Sequence, residues 1–229
     1  MTRTTALVSG GLDSAVMAAQ LVDDGHVVTA LSVDYGQRHR RELDAARAVA
    51  GALGISHVVV DLTGVTAAMD PSSSALLGSA AMPHGHYSDA SMAMTVVPGR
   101  NLLMIAAAAA VAASRGDEAV AIAAHAGDHP VYPDCRTDFL GAAAQAVSLG
   151  VPPLDVLYPF ANMTKDRIVA RGWSLGVPMN LTWSCYEGGA EHCGRCGTCV
   201  ERAEAFVLAG VADPTTYADA AYAREVTGR

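Results

Sequence analysis

An apolar run ends at residue 8 within the stretch "ALVSGGLDSAVMA" (6–18), and a helical apolar pattern resumes almost at once after "SGGLDS" (9–14). This stretch constrains the fold more than any other. A strand that stops in small and polar residues and turns directly into a helix leaves the first amides of that helix without intrahelical partners. Gly10 and Gly11 let the backbone come close to an anion, and the unpaired amides with the positive end of the helix dipole form a phosphate site. Ser9 and Ser14 add hydroxyl donors, and Asp13 is placed to cap the helix or to help hold a metal ion that accompanies phosphates. No lysine follows the glycines, so this is not a Walker A loop, and G-x-G-x-x-G is absent as well. A tight capped turn without a ligand accounts for some of these residues but not for all six behind a first buried strand.

The pattern around that turn sets the fold class. Residues 4–8 read as a strand, 14–24 as a helix with Val16, Met17, Leu21 and Val22 on one face, 26–34 as a strand, 39–54 as an amphipathic helix and 57–62 as a third strand. This βαβαβ order predicts an α/β fold, an open parallel sheet with helices on both faces. Residues 63–98, with Pro71, Pro83 and Pro98, break the pattern and read either as a functional lid or as a floppy insertion. An alanine-rich helix (100–115), a strand (118–124), a loop (125–135) and a helix (136–149) follow. Beyond a proline-bounded connection come a helix (164–176), a cysteine cluster, a last helix (200–209) and a tail after Pro214 that reads as peripheral. The expected organisation is a nucleotide-binding α/β domain over 1–180 and a metal-binding, helical segment over 181–229 packed on it.

Composition excludes several function classes. A chain of 229 residues, 51% hydrophobic, suits one α/β domain. The formal net charge of −8 argues against a large polyanion such as tRNA as partner, so no nucleic acid is expected. The most apolar run, "LLMIAAAAAVAA" (102–113), is too short to span a bilayer, so no membrane is expected either. The first residues run straight into a strand without the apolar block of a signal peptide, and the expected location is the cytoplasm.

Ligands of open parallel sheets sit outside the carboxyl ends of the strands, where three further motifs fall. "SVDYGQRHR" (32–40) brings Asp34, Tyr35, Gln37, Arg38 and His39 after the second strand, with Tyr35 and Arg38 as substrate candidates. "VPGRN" (97–101) places Arg100 near a helix start, where a cation gains nothing from the dipole; a bound anion or a nearby carboxylate would explain it. "HAGDHPVYPDCR" (125–136) packs His125, Asp128, His129, Tyr132, Asp134, Cys135 and Arg136 after the fourth strand, a mixture suited to bonding a polar ring or ammonia. Cys135 reads as a small buried hydrophobe rather than a nucleophile. Lys165, in the first turn of a helix behind a capping Thr164, also opposes the dipole and is a candidate pyrophosphate contact.

Four of five cysteines lie in "CYEGGAEHCGRCGTC" (185–199). Cys185, Cys193, Cys196 and Cys199 fill a tetrahedral shell with no open position, which makes a structural zinc site. An iron–sulfur cluster is the alternative, and His192 could replace one cysteine.

The "SGGLDS" turn resembles the PP-loop of the ATP pyrophosphatase superfamily. Together with "DYGQRH", "VPGRN", "YPDCR", Lys165 and the stretch from Thr182 to Cys199, it resembles the 7-cyano-7-deazaguanine synthase (QueC) family over residues 6 to about 206. The resemblance implies conversion of 7-carboxy-7-deazaguanine, ATP and ammonia into the nitrile, with a zinc on the four cysteines, Mg²⁺ with ATP, and a homodimer. ATP would lie against Val8, Ser9, Gly10, Gly11, Leu12, Asp13, Ser14, Ala15, Val16, Met17 and Ala18. Asp13, Lys165 and Arg100 would be catalytic, and Tyr35, Arg38, Asp128, Tyr132, Asp134 and Arg136 would meet the substrate. No glutaminase domain fits in the remaining length, so free ammonia would supply nitrogen. A PP-loop enzyme that thiolates tRNA, a nucleotide-binding zinc module without turnover, and a related enzyme acting on another carboxyl are the competing readings.

Overall fold

A computed structural model of the chain describes every residue except 39, 79, 80, 87–92, 129, 131, 152 and 229. Five parallel strands, β1 (Arg3–Leu7), β2 (Val27–Asp34), β3 (Ser56–Asp61), β4 (Ala119–Ala121) and β5 (Asp155–Leu157), form one sheet in the order β3-β2-β1-β4-β5. The helices are α1 (Leu12–Asp23), α2 (Arg41–Ala52), the single turn α3 (Thr63–Thr66), α4 (Arg100–Arg115), α5 (Thr137–Gly150), α6 (Lys165–Ser174), α7 (Gly197–Leu208) and α8 (Ala220–Val226). Among the described residues, no helix is long and apolar enough to cross a membrane.

The period-two alternation of the strands divides the core. Ala6, Val8, Val28 and Ala30 face the layer of α1, α2, α6 and α7, whereas Leu7, Leu31, Val33 and Val120 face α4 and α5. The small residues of β1 and α1 bring that helix close to the sheet, and Ala15, Val16, Met17 and Ala18 are fully buried there. The expected α/β class, with helices on both faces, is therefore the observed one. The chain order reverses beside β1, whose neighbours are β2 and β4, and a crevice opens at the carboxyl end of a sheet at such a point.

The sequence reading misses β5, and its fourth strand, 118–124, shrinks to Ala119–Ala121. The described part of 63–98 is not a floppy insertion: Ala75, Leu76, Met82 and Val97 are buried in the core under α4 and α5. Nor is the tail after Pro214 peripheral. Ala218 N donates to His192 O at 2.8 Å, and Asp219 N donates to Cys193 O at 3.2 Å, so the tail folds over the cysteine loop. A Cβ at Gly194, whose φ is +78°, would lie 2.6 Å from Asp219 O, so this closure requires glycine there.

Candidate active site

A cavity of about 240 Å³ lies over the carboxyl ends of β1, β2 and β4. Val8 and Ser9 enter from β1, Tyr35 and Gln37 from β2, and Ala124 and His125 from β4. Gly11, Leu12, Asp13 and Ser14 of the first turn line it, as do Arg100, Asp128, Tyr132 and Lys165. The segment after residue 180 adds Trp183, Ser184, Tyr186, Thr198 and Glu201.

The first turn is held from within. Ser14 Oγ accepts from Ser9 N at 3.2 Å and donates to Gly11 O at 3.1 Å, and Ser9 Oγ accepts from Gly11 N at 3.3 Å. Among the hydrogen bonds of the described residues, none satisfies the amides of Leu12, Asp13 or Ser14, the opening donors of α1. Packing requires glycine at residue 10: the φ of Gly10 is +88°, and a Cβ there would lie 2.1 Å from Glu42 O of α2. Of the expected stretch 8–18, Val8, Ser9 and Gly11 to Ser14 line the cavity, while Gly10, Ala15, Val16, Met17 and Ala18 do not. Asp13 does not cap α1; that position is taken by Gly11.

One end of the cavity is a network of paired charges. Lys165 Nζ lies 2.7 Å from Glu201 Oε2 and 3.4 Å from Asp13 Oδ2. Burial opposes the Lys165 charge, but Asp13, Glu201 and Asp128 outweigh it and hold its pKa above the ordinary lysine value. Burial likewise opposes ionisation of Asp13, and Lys165 with His125 overcomes it, so Asp13 stays ionised below the usual carboxylate range. The helix-opening lysine thus finds its anions in two side chains, and Thr164 caps α6 by position without a side-chain bond. His125 Nδ1 accepts from Gly127 N at 3.1 Å, which assigns the proton to Nε2, 3.5 Å from Asp128 Oδ2 and 3.9 Å from Asp13 Oδ2. Burial raises the Asp128 pKa, only partly offset by His125 and Lys165. Asp13 Oδ1 is buried without a hydrogen-bond partner among the described residues.

At the other end, Arg100 forms no ion pair among the described residues. Burial opposes its charge, while Tyr35 and Tyr186 beside it hold its pKa above the ordinary value. Burial drives Tyr35 up to about 12. Glu42, which the sequence reading passed over, lines the same end, half-buried. Burial pushes its carboxyl up to about 7, with Arg100 pulling against the shift. Cys135 is buried, accepts from Asn101 Nδ2 at 3.2 Å and is pushed up to about 12 by burial and by Asp128 and Asp134. That is the inert thiol expected.

Three expected substrate contacts lie elsewhere. Asp134 Oδ2 accepts from Asn101 N at 3.0 Å and fastens the start of α4. Arg38 and Arg136 are exposed and outside the cavity lining. His39 and His129 lie outside the described residues.

Cys185, Cys193, Cys196 and Cys199 place their sulfurs within 4.8 Å of one another, and all but Cys193 are buried. Cys193 Sγ accepts from Arg195 N at 3.3 Å and from Cys196 N at 3.2 Å, and Cys185 Sγ accepts from Cys193 N at 3.3 Å. Amides pointing at sulfur favour thiolates, so the donor set suits a metal ion of the zinc type. His192 is no substitute ligand: its Nε2 accepts from Ser184 N at 3.1 Å, and its ring packs on Trp183. Helix α7 begins at this cluster and carries Glu201 into the cavity. The same helix carries Arg202, fully buried, which donates to Thr182 Oγ1 at 2.8 Å and Met179 O at 2.9 Å. Neither Glu201 nor Arg202 stands in a recognisable motif; their only signal is a charge among apolar positions of a helix.

The family model described as queuosine biosynthesis protein QueC matches residues 3–210. The chain is 49% identical to a 7-cyano-7-deazaguanine synthase of Paracoccus denitrificans, over 97% of this chain and 96% of that one. It is 47% identical to a protein of the same name from Chelativorans sp., over 99% and 98%. Among solved structures, a predicted subunit of a tRNA methyltransferase from Methanocaldococcus jannaschii is similar in fold alone, with a TM-score of 0.50 and 14% identity over 74% of this chain and 73% of that one.

Proposed function

The chain belongs to the QueC family, and from that premise we propose that it converts 7-carboxy-7-deazaguanine, with ATP and ammonia, into 7-cyano-7-deazaguanine. The observation that carries this reading is the set of amides at Leu12, Asp13 and Ser14 left unsatisfied among the described residues, opening into a cavity that holds Arg100, without an ion pair among those residues, at its far end. A triphosphate fits the first and an electron-rich ring acid the second.

A carboxylate resists ammonia because the oxygen it must expel is too basic. Transfer of AMP from ATP to that oxygen, with release of pyrophosphate, makes it a leaving group. Ammonia then displaces AMP to give the amide. A second adenylation, on the amide oxygen, and loss of AMP with two protons give the nitrile. The chain contributes position and charge. The amides of the first turn with Ser9 and Ser14 hold the phosphates. Lys165, kept protonated and aimed by Asp13 and Glu201, neutralises the departing pyrophosphate. Asp128, whose pKa is raised, accepts a proton as ammonia attacks. Tyr132 and Tyr35 wall the ring, and Arg100 binds its polar edge.

Mg²⁺ arriving with ATP would be held by Asp13, whose buried Oδ1 lacks a partner, and would offset phosphate charge. A zinc ion on the four cysteines would supply structure only, since four thiolates complete its shell. The reading also takes residues 1–180 as the nucleotide domain, 181–229 as its metal-bearing segment, and the working form as a cytoplasmic homodimer; light scattering checks the last point. Mass spectrometry after incubation with the acid, ATP and ammonium tests the whole. The nitrile and AMP are expected, and AMP-free solutions with the acid intact overturn the reading.

A further inference from the structure

Four carboxylates line the cavity: Asp13, Glu42, Asp128 and Glu201. Three of them are committed. Asp13 and Glu201 hold Lys165, and Asp128 faces His125. Glu42 alone has no ion pair or hydrogen bond among the described residues, although Arg100 acts on it electrostatically. Its place is fixed from both sides. It stands in the first turn of α2, and its carbonyl packs against Gly10, so the helix cannot shift relative to the phosphate turn. Around it stand Tyr35 and Tyr186, whose rings also border the cavity.

A carboxylate without an ion pair or hydrogen bond among the described residues, sharing a cavity with a guanidinium and tyrosine rings, suits a ligand that presents two donors beside an acceptor on a flat ring. The edge of a guanine-type ring has that order: carbonyl oxygen, ring N1–H, exocyclic amine. We propose that Glu42 is the specificity-determining residue for the ring, its two oxygens accepting from N1–H and the 2-amino group while Arg100 donates to the neighbouring carbonyl; this rests on the deazaguanine substrate of the proposed function. The guanidinium has five N–H donors, so the neighbouring Tyr35 leaves donors for the ring. The charge balance is local as well. The Glu42–Arg100 couple brings no net charge to the ring, which leaves the reacting carboxylate to the cations at the other end.

The test is titration calorimetry of the full chain with 7-carboxy-7-deazaguanine and with its counterpart lacking the 2-amino group. Losing a hydrogen bond to a charged acceptor costs about 10- to 100-fold in affinity. The wild-type protein is expected to prefer the amino compound by that factor. E42Q, which offers one acceptor and one donor, is expected to reduce the preference to less than about threefold, with ATP affinity unchanged, and E42D to restore part of it. A wild-type protein without the preference, or an E42Q protein that keeps it, overturns the assignment. Nitrile production by the wild-type protein separates the two readings: a protein that makes the nitrile but shows no preference refutes Glu42 alone, and one that shows the preference but makes no nitrile refutes the proposed reaction alone.

Discussion

The two ends of the cavity are built on different plans. At the α1 end the polar side chains are engaged with one another: Lys165 with Asp13 and Glu201, and His125 Nε2 with Asp128. At the α4 end Arg100 and Glu42 stand among tyrosines without an ion pair among the described residues. A site paired within itself keeps its geometry without ligand and can meet a mobile, highly charged one such as a triphosphate. A site left unpaired carries a cost of burial that only a matching ligand relieves, so it discriminates. Under the proposed function, affinity belongs to one end and selectivity to the other.

The heaviest blow to the paired end is Asp13→Ala. It removes the carboxylate that Lys165 and His125 share, but Lys165 keeps Glu201 at 2.7 Å, so the fold survives. AMP formation is expected to fall by about two to three orders of magnitude, in the range seen when one preorganised electrostatic group is lost, with an unchanged circular dichroism spectrum. Turnover within tenfold of wild type would mean that the paired end does not serve phosphates.

Next is Cys196→Ser, which tests whether the paired end depends on the cysteine cluster. Helix α7 starts at that cluster and delivers Glu201 to Lys165. Loss of metal from such a cluster removes part of a binding energy on the order of 10 kcal/mol in small zinc modules. Metal content by plasma spectrometry and the melting temperature are both expected to fall. A stable metal-free variant would detach the cluster from the fold.

These two regions were also the most legible in the sequence. A strand ending in "SGGLDS" and cysteines spaced over 185–199 are local patterns, and local patterns survive in one dimension. What escaped was non-local. Glu42 looks like any exposed helix residue until Gly10 and Arg100 are folded against it. Arg202 reads as a surface charge but is buried, bonded across 20 residues to Thr182. β5 has three residues, too few for a periodic signal, and exists because β4 offers it an edge. Lys165 and Arg100 looked alike, each a cation opposing a helix dipole. Only the structure shows that Lys165 lies within ion-pair distance of two carboxylates, whereas Arg100 has no ion pair among the described residues.

The open end gives a smaller, pH-dependent effect. The folded-state pKa of Glu42, about 7, is above that of an unfolded chain because burial disfavours its charge. Arg100, Tyr35 and Tyr186 are the titratable groups around it, and the tyrosines titrate far above this range. A raised carboxyl favours the folded state fully below the unfolded pKa of about 4.5, and that contribution is lost as pH rises through 7. E42Q lacks the titration. It is expected to match the wild-type stability near pH 4.5 and to exceed it by about 1 kcal/mol at pH 8, after discounting for solvent reaching a half-buried group. Urea denaturation at both pH values measures this, and parallel stability curves for the two proteins would show that Glu42 is solvated after all.

The least effect belongs to Cys135, and its smallness sharpens the contrast. The thiol borders the cavity, where a reactive cysteine would turn the open end from a selective surface into a chemical one. Its surroundings argue otherwise. The residue is 5% exposed, and Asn101 Nδ2 is its donor at 3.2 Å. Burial and the carboxylates of Asp128 and Asp134 push it up to about 12, so at pH 8 almost none is thiolate. Only the thiolate alkylates at a useful rate. Wild-type protein is therefore expected to keep its nitrile-forming activity through an hour with iodoacetamide at pH 8, after the metal-bound cysteines have been shown by mass spectrometry to be unmodified. Cys135→Ala removes one small buried group, a loss of about 1 kcal/mol, and is expected to leave turnover within a few-fold of wild type. Rapid inactivation that tracks with alkylation of Cys135 would instead put a nucleophile beside Arg100, and the open end would then be doing chemistry rather than choosing its ligand.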